Sequence, residues 1–89
     1  MKQANNWEPE LHEELEGILI EKLDNMGIYH NKLYKIQKGN EIINVWGKKQ
    51  LDSIMEAARI GDRIILRYVG VKPVNEYERK LYELEILNE

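Results

Sequence analysis

The chain has 89 residues, 43% of them hydrophobic and 33% charged, which suits one small globular domain with a modest core. It contains no cysteine, so disulfides, thiolate metal ligands and a cysteine nucleophile are excluded. Its net charge of -3 is unevenly spread: residues 1–21 carry -5, residues 22–82 carry +5 and residues 83–89 carry -3. Local field and not total charge governs anion binding, so an acidic total leaves a basic binding surface open.

Residues 1–14 read as a polar, acidic arm with Trp7, Pro9 and Leu11, and residues 15–89 as the folded domain. Nothing in the first residues resembles a secretory leader, and no apolar run approaches a membrane span, so a cytosolic protein without a membrane partner is expected. Leu15 to Leu23 is rich in β-formers, and Gly17 within it predicts a bulge or tight bend that lets one strand serve two halves of a sheet. Asp24 to Gly27 has turn composition, and Ile28 to Lys38 alternates as a second strand, with Tyr34 and Ile36 on one face and Leu33, Lys35 and Gln37 on the other. Gly39-Asn40 is a two-residue hairpin signal returning the chain as Glu41 to Trp46.

From Lys48 to Arg59 the positions Leu51, Ile54, Met55 and Ala58 recur at helical spacing, with Gly61 placed to stop the helix. Asp62 to Gly70 alternates as a fourth strand with Ile64, Leu66 and Tyr68 on one face. Val71 to Arg79, with Pro73 and Asn75, reads as a polar loop, and Lys80 to Leu87 as a last strand with Tyr82, Leu84 and Ile86 sharing a face. Three strands, a helix and two strands is the order of an all-β, five-stranded Greek-key OB barrel, an architecture that binds single-stranded nucleic acid or oligosaccharide on one sheet face.

Five tyrosines and two tryptophans are present and no phenylalanine. Tyr34, Tyr68 and Tyr82 share strand faces with Ile and Leu and are expected in or beside the core. Trp46 lies at the end of the third strand, where Val45 and Ile43 already supply the apolar face. It is placed either to stack a base or to cover the barrel rim against the helix. Tyr29, beside the first turn, and Tyr77, in the last loop, lack apolar periodicity and are expected to be exposed.

Basic residues interleave with these rings: His30, Lys32, Lys35 and Lys38, then Lys48 and Lys49, then Lys72, Arg79 and Lys80. A single-stranded nucleic acid asks for that pairing, cations along the phosphates and flat rings under the bases. Catalysis has little support: His12 and His30 lie far apart, Ser53 has no histidine partner, and the run Glu8, Glu10, Glu13, Glu14, Glu16 lacks a calcium-loop pattern. No metal site, phosphate loop or cofactor motif is read, and the expected protein is not an enzyme.

Trp7-Glu8-Pro9, Leu15-Glu16-Gly17, Tyr34-Lys35-Ile36, Val45-Trp46-Gly47 with Leu51, Gly61-Asp62 with Ile64, Leu66, Tyr68 and Gly70, and Lys80-Leu81-Tyr82 occur in that order. In order and spacing they resemble the small OB-fold single-stranded DNA-binding proteins of bacteriophages and prophages. The resemblance implies sequence-tolerant, non-catalytic binding of exposed DNA in replication or recombination, in the cytoplasm of a bacterial host, without a cofactor. The residues that would carry it are Tyr29, Trp46 and Tyr77 for stacking, and Lys32, Lys35, Lys48, Lys49, Lys72 and Lys80 along the backbone. The chain departs from that pattern in the tight turn at Gly39, in Glu76 and Glu78 among the bases of the last loop, and in ending without a long acidic tail for recruiting partners. Alternatives on the same residues are RNA or small-ligand binding, and docking on a host or phage replication protein through the acidic arm with Trp7 and Leu11. A small barrel also has edges through which it can form a homodimer.

Overall fold

The computed structural model describes residues 5–74 and 77–87, with the backbone alone over 73–74 and 77–78. Strands β1 (Asn5–Asn6), β2 (Glu14–Met26), β3 (Asn31–Lys38) and β4 (Glu41–Trp46) precede helix α1 (Lys49–Met55), and β5 (Arg63–Val74) and β6 (Tyr77–Ile86) follow it. They form one mixed sheet in the order β1-β4-β3-β2-β5-β6. The expected five strands and the helix are therefore present, in a mostly β protein. No helix among the described residues is long and apolar enough to cross a membrane.

Strand β2 is shared as expected, pairing with β5 over Glu14 to Ile18 and with β3 from Ile18 onward. The predicted bulge at Gly17 is not there; the register shifts fall after Leu19 and after Leu23. Gly17 instead permits close approach, because a Cβ on it would lie 2.5 Å from the Gln37 carbonyl oxygen and 2.7 Å from Ile36 Cγ2. The first turn also moves. Asn25 takes a left-handed φ of 55° inside β2, the strand runs on to Met26, and the reversal occupies residues 27–30. Ile28 and Tyr29 consequently leave the predicted second strand and sit on the turn.

Helix α1 is shorter than the predicted Lys48 to Arg59. Ala57 and Ala58 donate to the carbonyls three residues back, tightening the chain out of the helix, and Asp62 Oδ2 accepts from the Arg59 amide at 2.9 Å. Gly61, at φ 99°, serves the turn into β5 and not the helix end: its amide donates to Leu19 O, and Leu19 N donates to Asp62 O. The predicted polar loop over Val71 to Arg79 is likewise corrected. β5 and β6 stay paired from Gly70↔Leu81 out to Val74↔Tyr77, making a two-stranded ribbon. Pairing continues because Val71, Lys72 and Val74 keep the extended pattern and Pro73 sits on a ribbon where its missing N–H is tolerated.

The core gathers the inward positions of the strands: Leu15, Leu19, Tyr34, Ile36, Ile43, Val45, Ile64, Leu66 and Tyr82, with Leu51 and Met55 of α1 inserted from one end. Tyr68, Leu84 and Ile86 pack against it half-buried, so the three tyrosines assigned to the core lie in it or beside it.

The sheet does not close into a barrel by hydrogen-bonded pairing. Where β4 would meet β6, β1 pairs with β4 in parallel, Asn5 opposite Ile43 and Asn6 opposite Asn44, and the Trp7 amide donates to Asn44 O at 2.8 Å. The Trp7 ring then spans to β6, 5.9 Å from the Tyr82 ring. On the other side of the seam Gln50 of α1 donates to Tyr82 O and accepts from Tyr82 N, at 3.0 and 2.9 Å. The arm and the helix thus satisfy polar backbone that barrel closure would otherwise pair.

Candidate functional site

Alternation along β3 and β4 puts Leu33, Lys35 and Gln37 on the outer face with Ile42, Asn44 and Trp46, in the register Leu33↔Trp46, Lys35↔Asn44 and Gln37↔Ile42. Leu33 is buried yet stands apart from the main core. Its neighbours on that face are Trp46 and, across β2, Leu23. Trp46 is half-buried, with its indole N–H donating to Asn6 Oδ1 at 3.2 Å. The opposite ring edge meets the β2–β3 turn: a Cβ on Gly27 would lie 3.6 Å from Trp46 Cη2.

The structure therefore brings Trp46, Lys35 and the turn bearing Tyr29 to one region. Tyr29 is 79% exposed, and Ile28 beside it 83%. Lys48 and Lys49 follow Trp46 at the start of α1, both exposed. Lys32 has the opposite strand parity from Lys35 and makes a loose ion pair with Asp24, 3.5 Å apart, so it is set off from Lys35. Asn44 stands beside Lys35 on that face, and Ile42, 41% exposed, follows it opposite Gln37. Asn44 Oδ1 is buried without a hydrogen-bond partner among the described residues.

The remaining candidates form a second group on the β5–β6 ribbon. Lys72 pairs with Arg79 and Lys80 with Val71, adjacent register positions, so the two lysines face opposite sides of the ribbon. They cannot both line one phosphate track on one face. The side chain of Tyr77, and Asn75 and Glu76, lie outside the described residues.

Elsewhere two arginines are already matched. Across β2, β5 and β6, Arg67 bridges Glu14 and Glu83, and Arg63 pairs with Glu16. Hydrogen bonds to Glu14, aided by its charge, raise the Arg67 pKa further above its usual value. Among the described residues Lys35, Lys48, Lys49, Lys72 and Lys80 enter no ion pair. Lys35, Lys48 and Lys49 lie off the strands that carry the arginines, whereas Lys72 and Lys80 continue β5 and β6 beyond them; the ladder itself is hidden in the sequence because Glu14, Arg67 and Glu83 meet only through strand register.

That ladder also changes the meaning of the acidic arm. Glu14 and Glu16 bind arginines, Glu13 Oε2 accepts the Trp7 indole N–H at 3.0 Å, and Trp7 packs on Tyr82. Trp7 is therefore tied into the fold, half-buried, while Glu8, Glu10 and Leu11 stay exposed.

Among the described residues the most strongly perturbed acid, Tyr34, is structural. Tyr34 donates its hydroxyl to Asp52 Oδ1 at 2.7 Å, fastening α1 to β3, and burial, reinforced by that carboxylate, pushes the Tyr34 pKa well above its usual value. Gly47 accommodates the pair, because a side chain there would collide with the Asp52 carboxylate. Among the described residues no group of three or more His, Asp or Glu could hold a metal ion. No protein-family profile, curated protein sequence or solved structure matches this chain.

Proposed function

We propose that this protein is a non-catalytic module that binds single-stranded DNA, with little sequence preference, on the outer face of β3 and β4. The observation that carries the reading is the position of Trp46. It is a half-buried ring, held at both edges, on the same face as the unpaired cation Lys35 and followed by Lys48 and Lys49. Rings supply sequence-tolerant stacking, about 1–3 kcal/mol per base, and the lysines supply the phosphate track.

The topology supports an OB-fold assignment. The order β4-β3-β2-β5-β6, with α1 between β4 and β5, is that of a partly open five-stranded Greek-key barrel cut along the seam that the arm fills. Such folds bind oligonucleotides on the face of their second and third strands, here β3 and β4, between the loop after the first strand and that joining the last two. Tyr29 lies in the first of those loops, and Lys72, Lys80 and Tyr77 belong to the second. The resemblance to phage and prophage single-stranded DNA-binding proteins is in keeping with this reading, under which the protein acts on exposed DNA in replication or recombination.

The test is a tryptophan-fluorescence titration with single-stranded and duplex DNA at two salt concentrations, run also on Trp46→Ala. Quenching by single strands alone, lost on substitution, is expected. With Lys35, Lys48 and Lys49 on phosphates, log affinity should fall with log salt at a slope of about -2, from about -0.7 per contact. A matched RNA oligomer that outcompetes DNA would reassign the substrate, and no binding of either at low salt would overturn the reading.

A further inference from the structure

The N-terminal arm contributes to the candidate site as well as to the fold. Asn6 stands opposite Asn44 in the parallel β1–β4 pair, one residue before Trp7, whose amide is tied to Asn44 O and whose ring is held by Tyr82 and Glu13. The Asn6 backbone is therefore fixed on both sides of the residue, and its carboxamide oxygen accepts the Trp46 indole N–H at 3.2 Å. At the other end of the indole, Cη2 and Cζ3 abut the turn at Gly27, where an added Cβ would stand 3.6 and 3.7 Å away. Leu33, buried on the same face, is the register neighbour of Trp46. A ring fixed at its N–H edge and at its far edge loses little rotational freedom when a base stacks on it, so the cost of ordering it falls on folding and not on binding.

We infer that Asn6 is a positioning residue for ligand binding: it orients the Trp46 indole for base stacking, which makes the arm part of the binding site. The inference rests on the single-stranded DNA reading. Asn6 acts through the indole N–H, so its effect must vanish when the ring has none to donate.

The test is a double-mutant cycle on the full chain, with binding of a fluorescein-labelled oligo-dT followed by anisotropy. Asn6→Ala should weaken binding about five-fold, the factor that corresponds to about 1 kcal/mol for one net hydrogen bond. In the Trp46→Phe background the same change should alter affinity less than two-fold. An equal loss in both backgrounds would make Asn6 a structural edge residue, and no loss in either would remove its role; each overturns the inference. Hydrogen exchange of the Trp46 indole N–H in the free protein separates this from failure of the DNA reading. Asn6→Ala should speed that exchange at least about five-fold, on the same hydrogen-bond energy. If the unsubstituted protein binds no oligo-dT, the DNA reading falls, and unchanged exchange would overturn the orienting role of Asn6 as well.

Discussion

Replacing Trp7 with alanine tests whether the arm belongs to the fold. In the structure this ring is half-buried, bridges from β4 to Tyr82 on β6 and donates its indole N–H to Glu13. Alanine would forgo about 100 Å² of apolar burial, which at about 25 cal/mol/Å² corresponds to about 2.5 kcal/mol. Loss of the ring pairing with Tyr82 adds about 0.5–1.5 kcal/mol, and inward relaxation of an edge arm recovers part of the total, leaving about 2–3 kcal/mol. Against the roughly 4–13 kcal/mol expected for a domain of this size, such a loss lowers the melting temperature by about 10 °C or more. Urea unfolding followed by circular dichroism measures it, with the midpoint falling and the m-value unchanged if only stability is affected. A loss below about 0.5 kcal/mol, the range of ordinary surface substitutions, would refute the claim that the arm fills the β4–β6 seam.

Gly17→Ala should destabilise by about 1–3 kcal/mol in the same assay, since its Cβ would meet the Gln37 backbone oxygen and Ile36, and backbone must move to admit it. A neutral result would mean that β2 and β3 are not so closely apposed. Tyr34→Phe removes the bond to Asp52 and should cost about 1.5 kcal/mol, with α1 amides losing exchange protection before those of β2. The native Tyr34 and Tyr82 keep their protons at pH values where unfolded tyrosines, near pKa 10, lose theirs. The unfolded state then binds fewer protons, so stability is fully present below pH 10 and falls above it, by about 1.4 kcal/mol per pH unit for Tyr34. Tyr34→Phe should shallow that alkaline slope, and an unchanged slope would remove Tyr34 as its cause.

Strand alternation made the core legible in the sequence. Tyr34, Ile36, Ile64, Leu66 and Tyr82 are inward as the period of two required, and Gly39-Asn40 makes the expected hairpin. What the sequence concealed depends on partners distant along the chain. The extension of β2 to Met26 rests on Asn25 adopting a left-handed backbone, which turn composition does not distinguish from a turn. The paired ribbon beyond Gly70 looked like a loop because its residues are polar, yet cross-strand backbone bonds do not ask for apolar side chains. Closure of the barrel is what the order of three strands, a helix and two strands leads one to expect, but a β4 edge can equally be met by a two-residue strand of the arm, and Asn5-Asn6 carries no strand signal. Of the candidate site, Trp46 and Lys35 were legible as a ring and a cation on alternating strands. The opposite orientations of Lys72 and Lys80 follow only from the register across the Tyr68/Gly70 irregularity.

Amide chemical-shift mapping during titration with oligo-dT would locate single-stranded DNA residue by residue, on the outer face of β3 and β4 as proposed or elsewhere. Saturable shifts are expected at Tyr29, Leu33, Lys35, Ile42, Asn44 and the Trp46 indole, with Arg63, Arg67 and Glu83 of the arginine ladder unmoved. Shifts concentrated on that ladder, or none at low salt, would contradict the proposal.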